Sequence, residues 1–260
     1  EDFMLLANRK VAERIGRRRG KQEPKTFIYR IHDQPNPEKL NVFSDFVRKL
    51  GYKVQFGSRK ALAGSLNRLF EEIQGKAEEF IIESIAIRTM AKAEYSTDNI
   101  GHYGLAFSYY THFTSPIRRY PDLVVHRLLQ RYLDGKPSVN KEEYEEICIH
   151  ASEMERKALD AERASVKHKQ VEFLLDKVGQ KFMGLISGVS KWGLFIELDE
   201  NKSEGLVPMR TLKDDFYYLD EDNFRIIGQN TGKEHKLGDR VQVALKAVEL
   251  QQKQIDMELV

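Results

Sequence analysis

The hydrophobic period of this 260-residue chain changes once, at Gly179, and that change divides the fold. Upstream, apolar residues recur at helical spacing: Leu40, Phe43, Val47 and Leu50, then Leu62, Leu66, Leu69, Phe70 and Ile73, then Phe80, Ile81 and Ile85. Such stripes are the buried faces of amphipathic helices. From Lys141 to about Lys177 helix-forming residues run almost unbroken, which predicts a helix about 55 Å long at about 1.5 Å per residue. Downstream, Val241, Val243, Leu245 and Ala247 alternate with other residues, as do Ile255, Met257 and Leu259; a period of two belongs to strands with one face inside. Five candidate strands, at 181–188, 192–198, 204–208, 239–249 and 253–259, suit a small closed barrel of the OB type. The predicted class is α+β, with a mostly helical part at 1–178 and a five-stranded barrel at 179–260.

Local signals fill in the helical part. Thr26 to His32 reads as a short strand, after which Asn36-Pro37-Glu38 supplies an N-cap, a proline in the first turn and an early acid. Gly51 and Gly75 end the next two helices, and a third runs from about Ala77 to Ala93. A helix from Pro121 to about Leu133 stops at Gly135-Lys-Pro137. The first residues look like the inside of an amphipathic helix with no capping residue ahead of it, so the chain is expected to be a piece of a longer polypeptide.

Composition excludes several classes. With 41% hydrophobic residues, 14 Phe and 11 Tyr, the chain has enough apolar mass to fold and is neither disordered nor collagen-like. No apolar run approaches the ~18 residues of a membrane span. The single cysteine, Cys148, excludes an internal disulfide and a cysteine zinc site, and a cytoplasmic location is the expectation. The formal charge of +2 hides an asymmetry: residues 181–260 hold 11 Lys/Arg against 14 Asp/Glu, so the excess of positive charge lies upstream. Arg9 to Lys21 alone carries seven bases against Glu13, which suits either a solvated loop or a phosphate backbone.

Between Gly101 and Pro121 lies a stretch unlike the rest, dense in aromatics and turn residues. Within it, Ser115-Pro-Ile-Arg118-Arg119-Tyr120-Pro121 displays two arginines between prolines that restrict the residues before them. Arginine presents a planar fork that grips two phosphate oxygens at once and keeps its charge. The helix opened by Pro121-Asp122 adds positive potential at its free amides. Two readings stand on chemistry alone: the pair faces a phosphodiester, or one or both arginines pair with acids on the long helix.

Gly101-His-Tyr-Gly-Leu-Ala106, then Tyr110-Thr-His-Phe-Thr-Ser-Pro-Ile-Arg-Arg-Tyr-Pro-Asp-Leu123 and His126-Arg127, resembles the signature of the ribonuclease II/ribonuclease R family of hydrolytic 3′ to 5′ exoribonucleases. Phe3-Met-Leu-Leu-Ala-Asn8 and Tyr29-Arg-Ile-His-Asp-Gln-Pro35 resemble further family segments in the expected order. Lys213-Asp-Asp-Phe-Tyr-Tyr-Leu-Asp-Glu221 and Gly232-Lys-Glu-His-Lys-Leu-Gly-Asp-Arg240 look like the ribonuclease R version of the S1 RNA-binding barrel.

The resemblance implies that carboxylates hold Mg²⁺, that activated water attacks the terminal phosphodiester of a single-stranded RNA 3′ end, and that nucleoside 5′-monophosphates leave one by one. It implies that Arg118 stabilises the transition-state phosphate, that Arg119 supports or positions the strand, and that Glu162 contacts the RNA end; Tyr120 is a candidate RNA contact, open between packing on a nucleotide and packing on the helices. As a lone acid on a charged helix, Glu162 otherwise reads as surface. In the S1 resemblance, Trp192, Phe195 and Phe182 fall where aromatics are expected to stack on bases, with Arg210 or Lys191 beside the backbone; Phe182 and Phe195 are equally placed for the barrel core. His102, His112 and His126 are expected to be structural. The family's metal-binding aspartates belong to a Gly-rich, Asp-dense motif not found in this chain, so no metal ligand is assigned and the 260 residues alone are expected not to turn over. The missing N-terminal half of the same protein is the expected partner. The competing readings are a non-catalytic RNA-binding module, which barrel and basic stretch alone would satisfy, and a helical interaction scaffold built on the long helix.

Overall fold

A computed structural model describes residues 1–17, 23–55, 59–76 and 78–260, the side chains of residues 59, 60 and 63 excepted. In chain order the elements are α1 (Asp2–Gly16), β1 (Tyr29–Ile31), α2 (Pro37–Lys49), α3 (Arg59–Ile73), α4 (Glu79–Thr89), β2 (Glu94–Ser96), α5 (Tyr120–Leu133) and α6 (Lys141–Leu174). They continue with β3 (Lys181–Ser190), β4 (Gly193–Leu198), β5 (Glu204–Pro208), β6 (Tyr217–Asp220), β7 (Arg225–Gly228), β8 (Glu234–Lys236), β9 (Arg240–Glu249) and β10 (Gln254–Leu259). Of the basic stretch, Arg18, Arg19 and Lys21 lie outside the described residues, as does the expected helix start at Ala77; Arg9 and Lys10 both pair with Glu13 on α1. Among the described residues no helix is long and apolar enough to cross a membrane.

The residues gather into two compact units that interleave along the chain, Glu1–Asn36 with Met90–Asp160, and Pro37–Thr89 with Ala161–Val260. The expected division at 178/179 follows chain order; compaction does not, because the α2 to α4 segment gathers with the C-terminal residues. In the first unit β1 and β2 pair antiparallel, Tyr29 opposite Ser96. Ala12 of α1, Phe27, Ile28 and Tyr29 around β1, Val124, Val125 and Leu128 of α5 and Cys148 of α6 form its core. Burial there pushes the Cys148 thiol up to about 12.

In the second unit five strands close a barrel in the order β10-β5-β4-β3-β9. Every pairing is antiparallel except β10 with β5, which meet in parallel at Asp256 and Leu206. All five predicted strands are present with ends shifted by at most two residues. Phe182, Ile186, Leu194, Ile196, Leu198, Val207, Val243, Leu245, Ile255 and Met257 fill the interior, and Val171 and Leu174 from the end of α6 join them. Closure satisfies the edges that an open five-stranded sheet leaves unpaired.

Two expectations need correction. Two stripe residues are exposed: Leu50 lies just beyond α2, which buries Phe46 beside Leu40, Phe43 and Val47, and Phe80 faces out while α4 buries Ile81, Ile82, Ile85 and Ala86. The stretch between the third and fourth predicted strands, where no strand is expected, holds a three-stranded sheet, β6-β7-β8. Two of its acids are tied into the structure: Asp215 accepts from the backbone N–H of Phe216, Asn230 and Thr231, and Asp220 pairs with Arg225 at 2.8 Å.

Candidate functional site

The arginine segment is a tight turn docked on the start of α5. Its closure comes from the Ser115 carbonyl, which accepts from the N–H groups of both Arg118 and Arg119. The extended residue is Arg119 (φ −126°, ψ 115°), one position earlier than the proline rule places it, and Tyr120 opens the helix with Pro121 behind it. The two arginines then part company. Arg119 donates from Nη2 to Asp122 Oδ1 at 2.9 Å, with 21% of its side chain exposed, while Asp122 is wholly buried. Arg118 is exposed and, among the described residues, makes no ion pair. The alternative reading, in which acids of the long helix pair with the two arginines, has no ion pair behind it among the described residues: α6 gives its Glu155 to Arg30, at 2.6 Å.

Behind the turn, side chains tie neighbouring segments together. Asn8 of α1 donates to the Tyr110 hydroxyl at 3.2 Å and accepts from Phe113 N–H at 3.0 Å. His126 of α5 stacks on Phe113, ring centroids 4.0 Å apart, and donates from Nε2 to the Phe113 carbonyl. His32 donates to the Ala91 carbonyl and accepts from Gly104 N–H. His112 shares a 2.8 Å hydrogen bond with the Tyr95 hydroxyl. Burial first, then the charges of Arg119 and Arg30, pull His112 down to about 3, so its imidazole is neutral at neutral pH and has no proton to give as an acid. These contacts support a structural reading of the histidines. Sequence reasoning missed Asp122 as the partner of Arg119 and Asn8 as a tie; the three-residue spacing from Arg119 to Asp122 was the available signal.

In the barrel, Trp192 is 67% exposed at the turn between β3 and β4, with the Lys191 ammonium 5.1 Å from its ring. Gly193 makes that turn possible: its φ of 142° suits glycine, and a Cβ there would run into the Val207 carbonyl. The Trp192 carbonyl accepts from Met209 N–H, which brings the exposed Arg210 to the same end of the barrel. Phe195, half-buried, alternates with inward Leu194 and Ile196 and lies over Gly188 on the outer surface. Phe182 is corrected: it shares the inward face of β3 with Ile186, is 7% exposed, and offers no ring face to a base. Glu162 is exposed on α6. Among the described residues no three His, Cys, Asp or Glu side chains are grouped to hold a metal ion. A cavity of about 670 Å³ in the second unit, lined by Phe46, Phe80, Leu185 and Leu237, contains none of the predicted site residues.

Residues 1–135 match the model of the RNB domain, and residues 175–259 that of the S1 RNA binding domain. The chain is 38% identical over 264 residues to ribonuclease R of Aquifex aeolicus, covering 100% of this chain and 36% of that protein. It is 39% identical over 263 residues to ribonuclease R 1 of Lactococcus lactis, covering 99% and 32% respectively. The chain therefore spans about a third of the length of the curated relatives it matches. A solved structure of Mycoplasma genitalium RNase R in complex with ribose methylated single-stranded RNA superposes with a TM-score of 0.88 at 30% identity, over 100% of this chain and 41% of that one. With the RNB match across residues 1–135, the S1 match behind it and ribonuclease R relatives along its whole length, the chain belongs to the RNB-domain family of ribonucleases.

Proposed function

We propose that this chain is the C-terminal part of a hydrolytic 3′ to 5′ exoribonuclease that releases nucleoside 5′-monophosphates from single-stranded RNA. In this reading residues 1–178 complete the catalytic domain and 179–260 bind RNA. The observation that carries it is the inequality of the two arginines: Arg119 is held by buried Asp122, while Arg118 stands exposed on the same turn at the head of α5, with no ion pair among the described residues. A guanidinium so placed donates two charge-assisted hydrogen bonds to phosphate oxygens and holds them more tightly as negative charge builds. Tyr120 and Arg119 flank it, and Glu162 is assigned to the RNA end. Trp192 and Phe195 stack on bases whatever their identity, with Arg210 on the backbone. Mg²⁺ is the cofactor proposed for the whole enzyme, where it would supply Lewis-acid activation of water. The described residues offer no donor set that fits it, so none of their side chains is assigned to the metal. A cytoplasmic location and pairing with an N-terminal half of the same protein belong to the same proposal.

The test is turnover of a 3′-end-labelled RNA by the protein with its complete catalytic domain. Arg118→Ala lowers kcat by about 10²- to 10³-fold, the scale for losing one transition-state donor, while RNA affinity stays within about threefold. No mononucleotide release by that wild-type protein, with an affinity that merely falls with salt after Arg118→Ala, would make the chain part of a non-catalytic RNA-binding module.

A further inference from the structure

We propose that Asp122 is the positioning residue for Arg118, acting through the turn that it ties at both ends; this rests on the reading of Arg118 as the phosphate arginine. One oxygen does the tying. Asp122 Oδ1 accepts from Ser115 N–H at 2.8 Å and from Arg119 Nη2 at 2.9 Å, so the residues flanking Pro116, Ile117 and Arg118 converge on one buried atom. The Ser115 carbonyl closes the same loop from the other side. With both ends held, the backbone under Arg118 is fixed before any ligand arrives, and the ordering cost of placing its guanidinium is largely met in the fold.

The same contact decides which arginine faces the phosphate. Adjacent guanidinium groups compete for one anion unless one is withdrawn, and the buried carboxylate withdraws Arg119. The tether depends on charge more than on shape. Arg119 Nε and Asp122 Oδ2 are both enclosed and have no protein partner among the described residues, so the pair meets at one point and not as a two-pronged fork. An asparagine retains an oxygen for Ser115 N–H but loses the charge that restrains Arg119. Asp122→Asn therefore frees a second cation beside Arg118, and turnover falls while RNA binding holds or tightens. A residue that only supported the fold would lose both together.

The experiment compares Asp122→Asn, Arg118→Ala and the double variant in the protein with its complete catalytic domain. The expected result is a loss of about 10- to 100-fold in kcat for Asp122→Asn, the scale of a reacting group displaced by about 1 Å, with RNA affinity unchanged or higher. In the Arg118→Ala background the same substitution costs less than about threefold, because its effect passes through Arg118. Losses that multiply, or a wild-type kcat in Asp122→Asn, overturn the proposal. Phenylglyoxal modification mapped by mass spectrometry reads the tether without reference to turnover. Arg118 reacts and Arg119 is protected in the wild type, Asp122→Asn exposes Arg119, and Arg30, covered by Glu155, stays protected unless the fold is lost. If Arg118→Ala leaves kcat unchanged, the reading of Arg118 fails; Arg119 protection unaltered by Asp122→Asn overturns the tether itself.

Discussion

At the scale of single residues, the arginine turn makes opposite predictions for neighbours. Arg119→Ala leaves the Asp122 carboxylate buried and without its cation, a loss of the class that costs about 3–5 kcal/mol. Arg118→Ala removes an exposed side chain and should shift stability by about 0.5 kcal/mol or less. Urea denaturation of the two variants checks the difference. His112 makes a pH prediction. Its folded value, about 3, lies below the ordinary imidazole value near 6.5, so the unfolded chain binds the proton that the folded chain refuses. The contribution of His112 is complete above about pH 6.5 and is lost as pH falls from 6.5 toward 3, by up to about 1.4 kcal/mol per pH unit. His112→Gln flattens that slope in melts taken between pH 6.5 and 4.5. The sequence showed which residues to watch in this turn, because prolines restrict the backbone around two side chains suited to phosphate. The resemblance set Arg118 on the phosphate, but residue chemistry alone did not show which arginine was committed to an ion pair, since acids on α6 and the acid three residues along were all in reach until the backbone turned.

At the scale of elements, legibility followed periodicity. The barrel strands alternate over five to ten residues with one face sealed, so a slip of one residue would turn every apolar side chain outward; this is why their ends are legible nearly to the residue. Strands β6, β7 and β8 are three or four residues long, too short for alternation to register. The same alternation separates Phe182 from Phe195, and a turn places Trp192. Phe182 lies on the inward face, and Phe182→Ala should cost about 3–5 kcal/mol with any RNA defect following from unfolding. Trp192 is held outward by the turn at Gly193, so Trp192→Ala should leave the melting temperature nearly unchanged while weakening single-stranded RNA binding by about 1–3 kcal/mol. Calorimetric melts beside RNA titrations separate the two variants.

At the scale of the whole molecule, the stripes on α2, α3 and α4 announced buried faces but could not name what covers them. An amphipathic stripe records that a surface leaves water and is silent on its neighbour. The structure supplies neighbours far along the chain: Phe46 of α2 meets Phe224 edge to face at 5.4 Å, and Lys49 reaches Asn223. The barrel likewise does not begin where the period changes. Val171 and Leu174, both fully buried at the end of α6, belong to its core although they precede Gly179. Fully burying an aliphatic side chain is worth about 1.5–3 kcal/mol, an upper value because unfolded chains bury some of that surface already. A polypeptide of residues 170–260 should therefore be more stable than one of 179–260 by at least about 2 kcal/mol. In a domain of this size that raises the melting temperature by about 8 °C or more. Val171→Ala with Leu174→Ala in the longer polypeptide should remove most of the gain. Equal melting temperatures for the two polypeptides would mean that the barrel closes over its own strands alone, and that the end of α6 rests on it without holding it shut.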